Sequence, residues 1–241
     1  MSIDMGGFSK NTAWTQNPTA TDGAVSILDF EDGFFEGSKI FRDKFPNHGW
    51  SGFGTAVITR AANTFYGKPC AYLDGTSRIM SPSASEFVFG AGDFTVEGWC
   101  YPTGFPSQSV VAKRQNSGIY APFQMYFNVG TGALGVLASV TGGAWAVNLL
   151  GGAATLNGWN HYAMCRSGGT IYGYLNGVSI GSGAIAGSVY SNGEQVSLGA
   201  NSDQSQPFTG WLGPHRFSNS AKYPGGSSFS PPTFFAGPDV R

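Results

Sequence analysis

The apolar residues of this chain come in short runs that alternate with polar residues, and glycines cut the runs apart. The clearest run is DFTVEGWCY, residues 93–101. Extended, it puts Phe94, Val96, Gly98 and Cys100 on one side and Thr95, Glu97, Trp99 and Tyr101 on the other. That period of two belongs to a strand with one face against a core. A second unit, GWNHYAMCRSGGTIYGYLNGVSIG, covers residues 158–181. It predicts a strand at Asn160–Arg166, a turn at Gly168-Gly169, a return strand at Thr170–Leu175 and a further turn at Asn176-Gly177. Gly-Gly and Asn-Gly supply the positive φ angles that tight hairpin turns require. No window of about 11 residues has a helical apolar period free of Gly and Pro. The nearest helical candidate is one turn at Ser83–Phe87.

Further strands are expected at Val25–Glu31, Thr55–Thr59, Cys70–Asp74, Ser109–Lys113, Phe123–Val129, Leu134–Val140, Ala144–Leu149 and Gln195–Ala200. Another is expected at Thr209–Phe217, where Pro214 predicts a bulged or edge strand. About a dozen strands with hairpin connections make an all-β fold, a two-sheet antiparallel sandwich. One large sandwich fits the 241 residues. Residues 1–24 are polar and carry three isolated anchors, Ile3, Phe8 and Trp14. They read as an extended N-terminal arm that packs on the domain or on a neighbouring subunit. The Pro-rich segment 227–241 reads as an extended stretch over a sheet edge, with 236–241 as a tail.

Composition removes several function classes. The chain has 13 basic and 14 acidic residues, so no charge excess draws it to nucleic acid. No apolar run approaches the length of a membrane-spanning helix. The 37 glycines lack a period of three, which excludes collagen. Cys70, Cys100 and Cys165 form no C-x-x-C pair and read as buried, inert thiols. The first residues have neither a basic nor an apolar leader region, so no signal peptide and a cytoplasmic synthesis are expected.

The ordered segments LDFEDGF (28–34), YGKPCAYLDGTSRI (66–79), FGAGDFTVEGWCYP (89–102), GWNHYAMCRSGGTIYGYLNGV (158–178), LGANSDQSQPFTGWLGPHRF (198–217), AKY (221–223) and SPPT (230–233) carry a resemblance. Over residues 25–235 the chain resembles the laminin G-like, concanavalin A-like jelly rolls found in tailed-phage virion proteins. The resemblance implies a jelly-roll sandwich of two curved sheets, each of about six or seven strands. Family members usually hold an acidic pair in the last strand, one of which helps bind a structural calcium. Here Gly213-Pro214 fills that position, which argues against calcium. Asp29, Glu31 and Asp32 cluster near the first strand, as calcium ligands do, although a solvated turn explains them equally.

Catalysis finds little support. Glycoside hydrolases of this fold need paired carboxylates, and the related Glu-x-Asp-x-x-Glu strand is missing. Glu97 stands alone in its run, flanked by Thr95 and Trp99. There is no G-x-S-x-G elbow, and His48, His161 and His215 have no acidic neighbour in sequence. His161 shares a strand face with Ala163 and Cys165 and reads as a core histidine; its distance from Cys165 along a strand, about 13 Å, excludes a dyad. The Gly-rich stretches 142–154 and 181–188 lack the Lys and following helix of a phosphate loop. Glycan binding, which needs aromatic platforms beside amides, has candidates in Trp50 with Asn47 and His48, Tyr120 with Asn116, Trp145 with Asn148, and Asn201 in the loop 200–207.

The expected function, taken with the resemblance, is a non-enzymatic structural or accessory protein on a tailed-phage virion surface, at the head or the tail fibre. A carbohydrate-binding adhesin for host glycans is the second reading, and a glycan hydrolase the third. Expected partners are other virion proteins, copies of the chain itself and host glycans; no nucleic acid, membrane insertion, metal or cofactor is expected.

Overall fold

The structure, a computed structural model, describes residues 23–31, 36–45, 49–59, 63–81 and 85–235. The anchors Ile3, Phe8 and Trp14, the acid Asp32, the pair Asn47 and His48, and the tail 236–241 lie outside the described residues.

The strands in chain order are β1 (Ala24–Leu28), β2 (Ile40–Arg42), β3 (Gly49–Phe53), β4 (Val57–Thr59), β5 (Cys70–Asp74), β6 (Arg78–Met80), β7 (Phe94–Pro102) and β8 (Gln108–Ala112). They continue with β9 (Phe123–Phe127), β10 (Leu134–Ala138), β11 (Val147–Gly151), β12 (Asn160–Ser167), β13 (Thr170–Leu175), β14 (Val178–Ala184), β15 (Ser197–Leu198) and β16 (Thr209–Ser218). Sheet I runs β14-β13-β12-β7-β16-β5-β4, with β1 also on β16. Sheet II runs β11-β10-β9-β8-β15-β6-β3-β2. Every pairing is antiparallel. Each sheet has eight strands, more than the six or seven expected. The expectation missed β2, β3, β6 and β14. Strand β2, for example, has three residues and buries only Phe41, too short a stretch to display a period.

The core lies between the sheets. Phe94, Val96 and Cys100 of β7 meet Phe123, Met125 and Phe127 of β9 in one buried cluster. The two hairpin turns form as predicted: Gly168 and Gly169 have φ of 55° and 79°, and Asn176 and Gly177 have 53° and 76°. The single helical turn is a 3-10 turn at Ser85–Phe87 that delivers Phe87 to the core.

Pro214 sits in an interior strand, not at an edge. Strand β16 pairs β7 on one side; on the other it pairs β5 through Thr209–Leu212 and β1 through His215–Ser218. The register shifts between Leu212 and His215, so the proline occupies a bulge where one partner strand gives way to another. No ladder hydrogen bond is forfeited there. The C-terminal segment also departs from expectation. It lies across the outer face of sheet I, where Phe229 packs with Tyr174 and Tyr223, and Phe235 with Trp99 and Phe65.

Candidate functional site

The two outer faces of the sandwich differ in chemistry. On sheet I, Glu97 of β7 and His161 of β12 point away from the core and are fully buried beneath the C-terminal segment. Glu97 Oε2 accepts from His161 Nε2 at 3.1 Å and from the Tyr223 hydroxyl at 2.7 Å; Oε1 accepts from Arg216 Nε at 2.8 Å. Burial pushes the Glu97 pKa up, but the His161 hydrogen bond and the Arg216 charge outweigh it and hold the carboxyl below its ordinary range. Trp99 Nε1 donates to the Pro232 carbonyl at 2.8 Å, and the Tyr223 and Phe229 rings stack with centroids 3.6 Å apart. Glu97 is therefore not alone, and His161 has an acidic partner 64 residues away in sequence. This cluster is closed to solvent: Glu97 and His161 are fully buried, and of the buried polar side-chain atoms of the residues named here only His161 Nδ1 is left without a hydrogen-bond partner.

On the inner side of the same sheet His215 is fully buried. Its Nδ1–H donates to the Gly213 carbonyl at 2.8 Å and its Nε2 accepts from the Tyr162 hydroxyl. Burial lowers its pKa to about 4, so the ring is neutral near pH 7. Gly98 makes room for it: an added Cβ would stand 2.5 Å from His215 Cδ2.

The outer face of sheet II is open. Because Phe123, Met125 and Phe127 of β9 face the core, Gln124 and Tyr126 face outward. Register then aligns Gln124 with Leu137 and Asn148, and Tyr126 with Gly135 and Leu150. Gly135 is required here, since an added Cβ would overlap the Tyr126 ring. Beside these rows Trp145 and Tyr120 meet edge to face with ring centroids 5.0 Å apart. The Arg114 guanidinium lies 5.1 Å over the Trp145 ring. Arg114 is held by Gln124 Oε1 at 2.6 Å, the Ile119 carbonyl at 2.6 Å and the Ser117 carbonyl at 2.6 Å. Burial lowers its pKa while the nearby Asp203 charge raises it. Gln124 Nε2 continues the network to Gln206 Oε1 at 2.9 Å and Asn201 Oδ1 at 3.2 Å. A half-exposed aromatic pair and the exposed Asn148 thus share one surface, and the buried Arg114 and Gln124 beneath it hold the Trp145 ring in place.

The sequence candidates divide accordingly. Tyr120, Trp145 and Asn148 come together on this face, and Asn116 caps the same loop through the Gly118 amide. Trp50 does not join them. It is fully buried, stacked on Phe217, with its indole N–H on Asp43 Oδ2 at 3.0 Å. Its run, GWSGF, alternates as Trp145 does, but the other sheet and the 3-10 turn cover its ring. Asn201 is also fully buried; it fixes the loop through Ser205 and Gln206 and cannot touch a ligand. Arg114, Gln124 and Tyr126 were missed. The signal lay in FQMYF, where two polar positions alternate with three apolar ones.

Asp29 and Glu31, read as potential calcium ligands, pair with Lys44 and Lys68 at 2.5 Å each. Among the described residues no group of three or more His, Cys, Asp or Glu could hold a metal. Cys70, Cys100 and Cys165 are buried thiols; Cys70 Sγ donates to the Asn63 carbonyl at 2.6 Å, and burial raises the pKa of Cys100 and Cys165.

No curated protein matches the sequence. Among solved structures, domain 4 of AbnA, a GH43 extracellular arabinanase from Geobacillus stearothermophilus in complex with arabinotriose, superposes with a TM-score of 0.60 at 20% identity, covering 84% of this chain and 95% of that one. The binding domain of Paraclostridial Mosquitocidal Protein 1 gives 0.63 at 15%, over 83% and 50%. Trypanosoma rangeli sialidase in complex with sialic acid gives 0.59 at 12%, over 83% and 31%. At these identities the likeness is one of fold, and the chain spans half or less of the last two. The family model Laminin_G_3 matches residues 73–224, from the end of β5 past β16, and the chain belongs to the family it describes, the concanavalin A-like lectin/glucanases superfamily.

Proposed function

We propose that this chain is a non-enzymatic glycan-binding jelly roll that takes saccharides on the outer face of sheet II. The observation that carries the reading is the half-exposed Tyr120–Trp145 pair, fixed from beneath by the buried Arg114 and Gln124 and set on the same face as the exposed Asn148. A sugar ring offers an apolar C–H face that aromatics receive and hydroxyls that amides bind. The AbnA domain, solved with arabinotriose, supports saccharide as the ligand class.

Absence of catalysis rests on the setting of the carboxylates. A glycoside hydrolase keeps one carboxyl protonated in an apolar environment. Glu97 is ion-paired and sealed, Glu194 stands against the Lys113 charge, and Asp203 is exposed.

The test is a glycan array that includes arabino-, cello-, malto-, xylo- and chito-oligosaccharides, probed with the protein and with Trp145→Ala. Retention of one or more series by the parent, weakened about tenfold or more in the variant, is expected. A blank array, or equal retention by Trp145→Ala, sinks the reading. Retained oligosaccharides recovered after incubation keep their length if the chain is no enzyme.

We infer the setting from the resemblance of residues 25–235 to phage jelly rolls: the surface of a tailed-phage virion, with other virion proteins and further copies of this chain as partners. Charged residues are 11% and aromatics 15%, a balance that suits a protein embedded among neighbours and favours a structural role as the second reading. Light scattering with and without residues 1–22 separates the two readings. A blank array with assembly that depends on those residues selects the structural role.

A further inference from the structure

A cavity of about 310 Å³ opens on the outer face of sheet II, over β3 and β6. Phe53, Arg78, Met80, Gln115, Glu194 and Asp203 line it. It lies across the loop 201–206 from the Trp145 platform, and the two sites share a wall. Ser202 Oγ donates to Glu194 Oε2 at 2.7 Å, and the hydroxyl also lies 2.9 Å from the carbonyl of Arg114, the residue that stacks on Trp145. The Asp203 amide donates to the Gln115 carbonyl at 2.9 Å. Sheet order places β6 three strands from β9, so the two sites are separated by about 15 Å.

The lining resembles the platform in chemistry. Phe53 is 45% exposed and carries the Arg78 guanidinium 5.2 Å above its ring. Arg78 Nη1 reaches Gln204 Oε1 at 3.0 Å and Nε reaches Met80 Sδ at 3.0 Å, which fixes the guanidinium at the cavity wall. The acids are offset by cations, Glu194 by Lys113 and Asp203 by Arg114. The Arg78 guanidinium stands in addition to these two pairs. The cavity offers carboxylates that accept hydroxyl hydrogens, amides and a guanidinium that donate, and an aromatic wall.

We propose that this cavity is a second saccharide subsite, and that one oligosaccharide runs from the Trp145 platform over the 201–206 loop into it. The proposal rests on the glycan-binding reading of sheet II. It requires chain-length dependence, because a disaccharide cannot span both sites.

Calorimetric titration with di- to hexasaccharides of each arabino-, cello-, malto-, xylo- or chito-oligosaccharide series that the array retains tests it. In the parent protein the hexasaccharide is expected to bind about tenfold tighter than the disaccharide. Arg78→Ala and Glu194→Gln are expected to bring the hexasaccharide to the disaccharide's affinity and to leave the disaccharide unchanged. Asp203→Asn, at an exposed position, guards against a folding defect in either, and thermal melting of all three checks the fold. Equal affinity for all lengths, or hexasaccharide binding untouched by all three variants, overturns the subsite while Trp145→Ala still reports on the platform. Failure of every series to bind overturns the glycan reading and the subsite with it.

Discussion

The two outer faces of this sandwich are built from the same kinds of residue and end in opposite states. Sheet I turns Glu97, His161 and Arg216 outward and then closes over them with Tyr223, Phe229 and Phe235. Sheet II covers Gln124 with its loops but leaves Tyr126 and Trp145 partly exposed and Asn148 and Leu150 largely so. Polar groups that satisfy one another under a cover stabilise; polar groups held in place with valences turned to solvent can recognise. A charged residue in a strand is thus no sign of a site until its cover is known.

The comparison breaks most sharply at Glu97. Glu97→Ala leaves Arg216 and His161 without their acceptor in a buried setting, and a loss of about 3–5 kcal/mol in urea unfolding is expected. Limited proteolysis should then cut the segment after Tyr223 first, while surviving folded protein keeps its glycan binding. If cleavage is unchanged, the cover does not depend on the cluster.

Acid tests the same sheet from its inner side. His215 titrates near 4 when folded and near 6.5 when unfolded. Between those values the unfolded chain takes a proton that the folded chain refuses, so stability falls as pH falls, by about 3 kcal/mol across the window. Glu97 acts lower: its depressed folded pKa stabilises above 4.5 and that contribution is lost as pH drops through its folded value. Unfolding free energies at pH 7, 5 and 4 check the His215 stage and further points below pH 4 the Glu97 stage, and His215→Gln should flatten the first.

Two glycines sharpen the contrast. Gly98→Ala drives a methyl into a ring pinned by Tyr162 and Gly213 in the core, with an expected cost of about 1–3 kcal/mol. Gly135→Ala meets the half-buried Tyr126 ring, which can swing outward. Its effect on melting should be smaller, about 1 kcal/mol or less, and glycan retention should fall instead. Trp145→Ala should change stability least and binding most; a large melting shift would make that side chain a structural one.

Much of the fold was legible because its signals are local. The hairpin at residues 160–175 needs only alternation and a Gly-Gly turn, both readable within 16 residues. The platform was legible in part: Tyr120, Trp145 and Asn148 follow from aromatic and amide neighbours in sequence. Trp50 and Trp145 could not be told apart that way, because the rings that cover Trp50 belong to Phe87 and Phe217, 37 and 167 positions later. The Glu97 cluster was illegible for the same reason, its partners lying 64, 119 and 126 positions away. Period predicts which side of a strand a residue takes; it carries no information about what is later laid over that side.

The cover on sheet I also sets a direction. Phe229, Pro232 and Phe235 bring the described end of the chain to rest on the side of the molecule opposite Trp145. A tether or surface joined beyond that end would leave the platform and the cavity turned away from the attachment. Copies gathered by such a tether would turn the outer faces of sheet II the same way, and, on the glycan-binding reading proposed above, weak single contacts would sum into firm attachment without any change in the individual site.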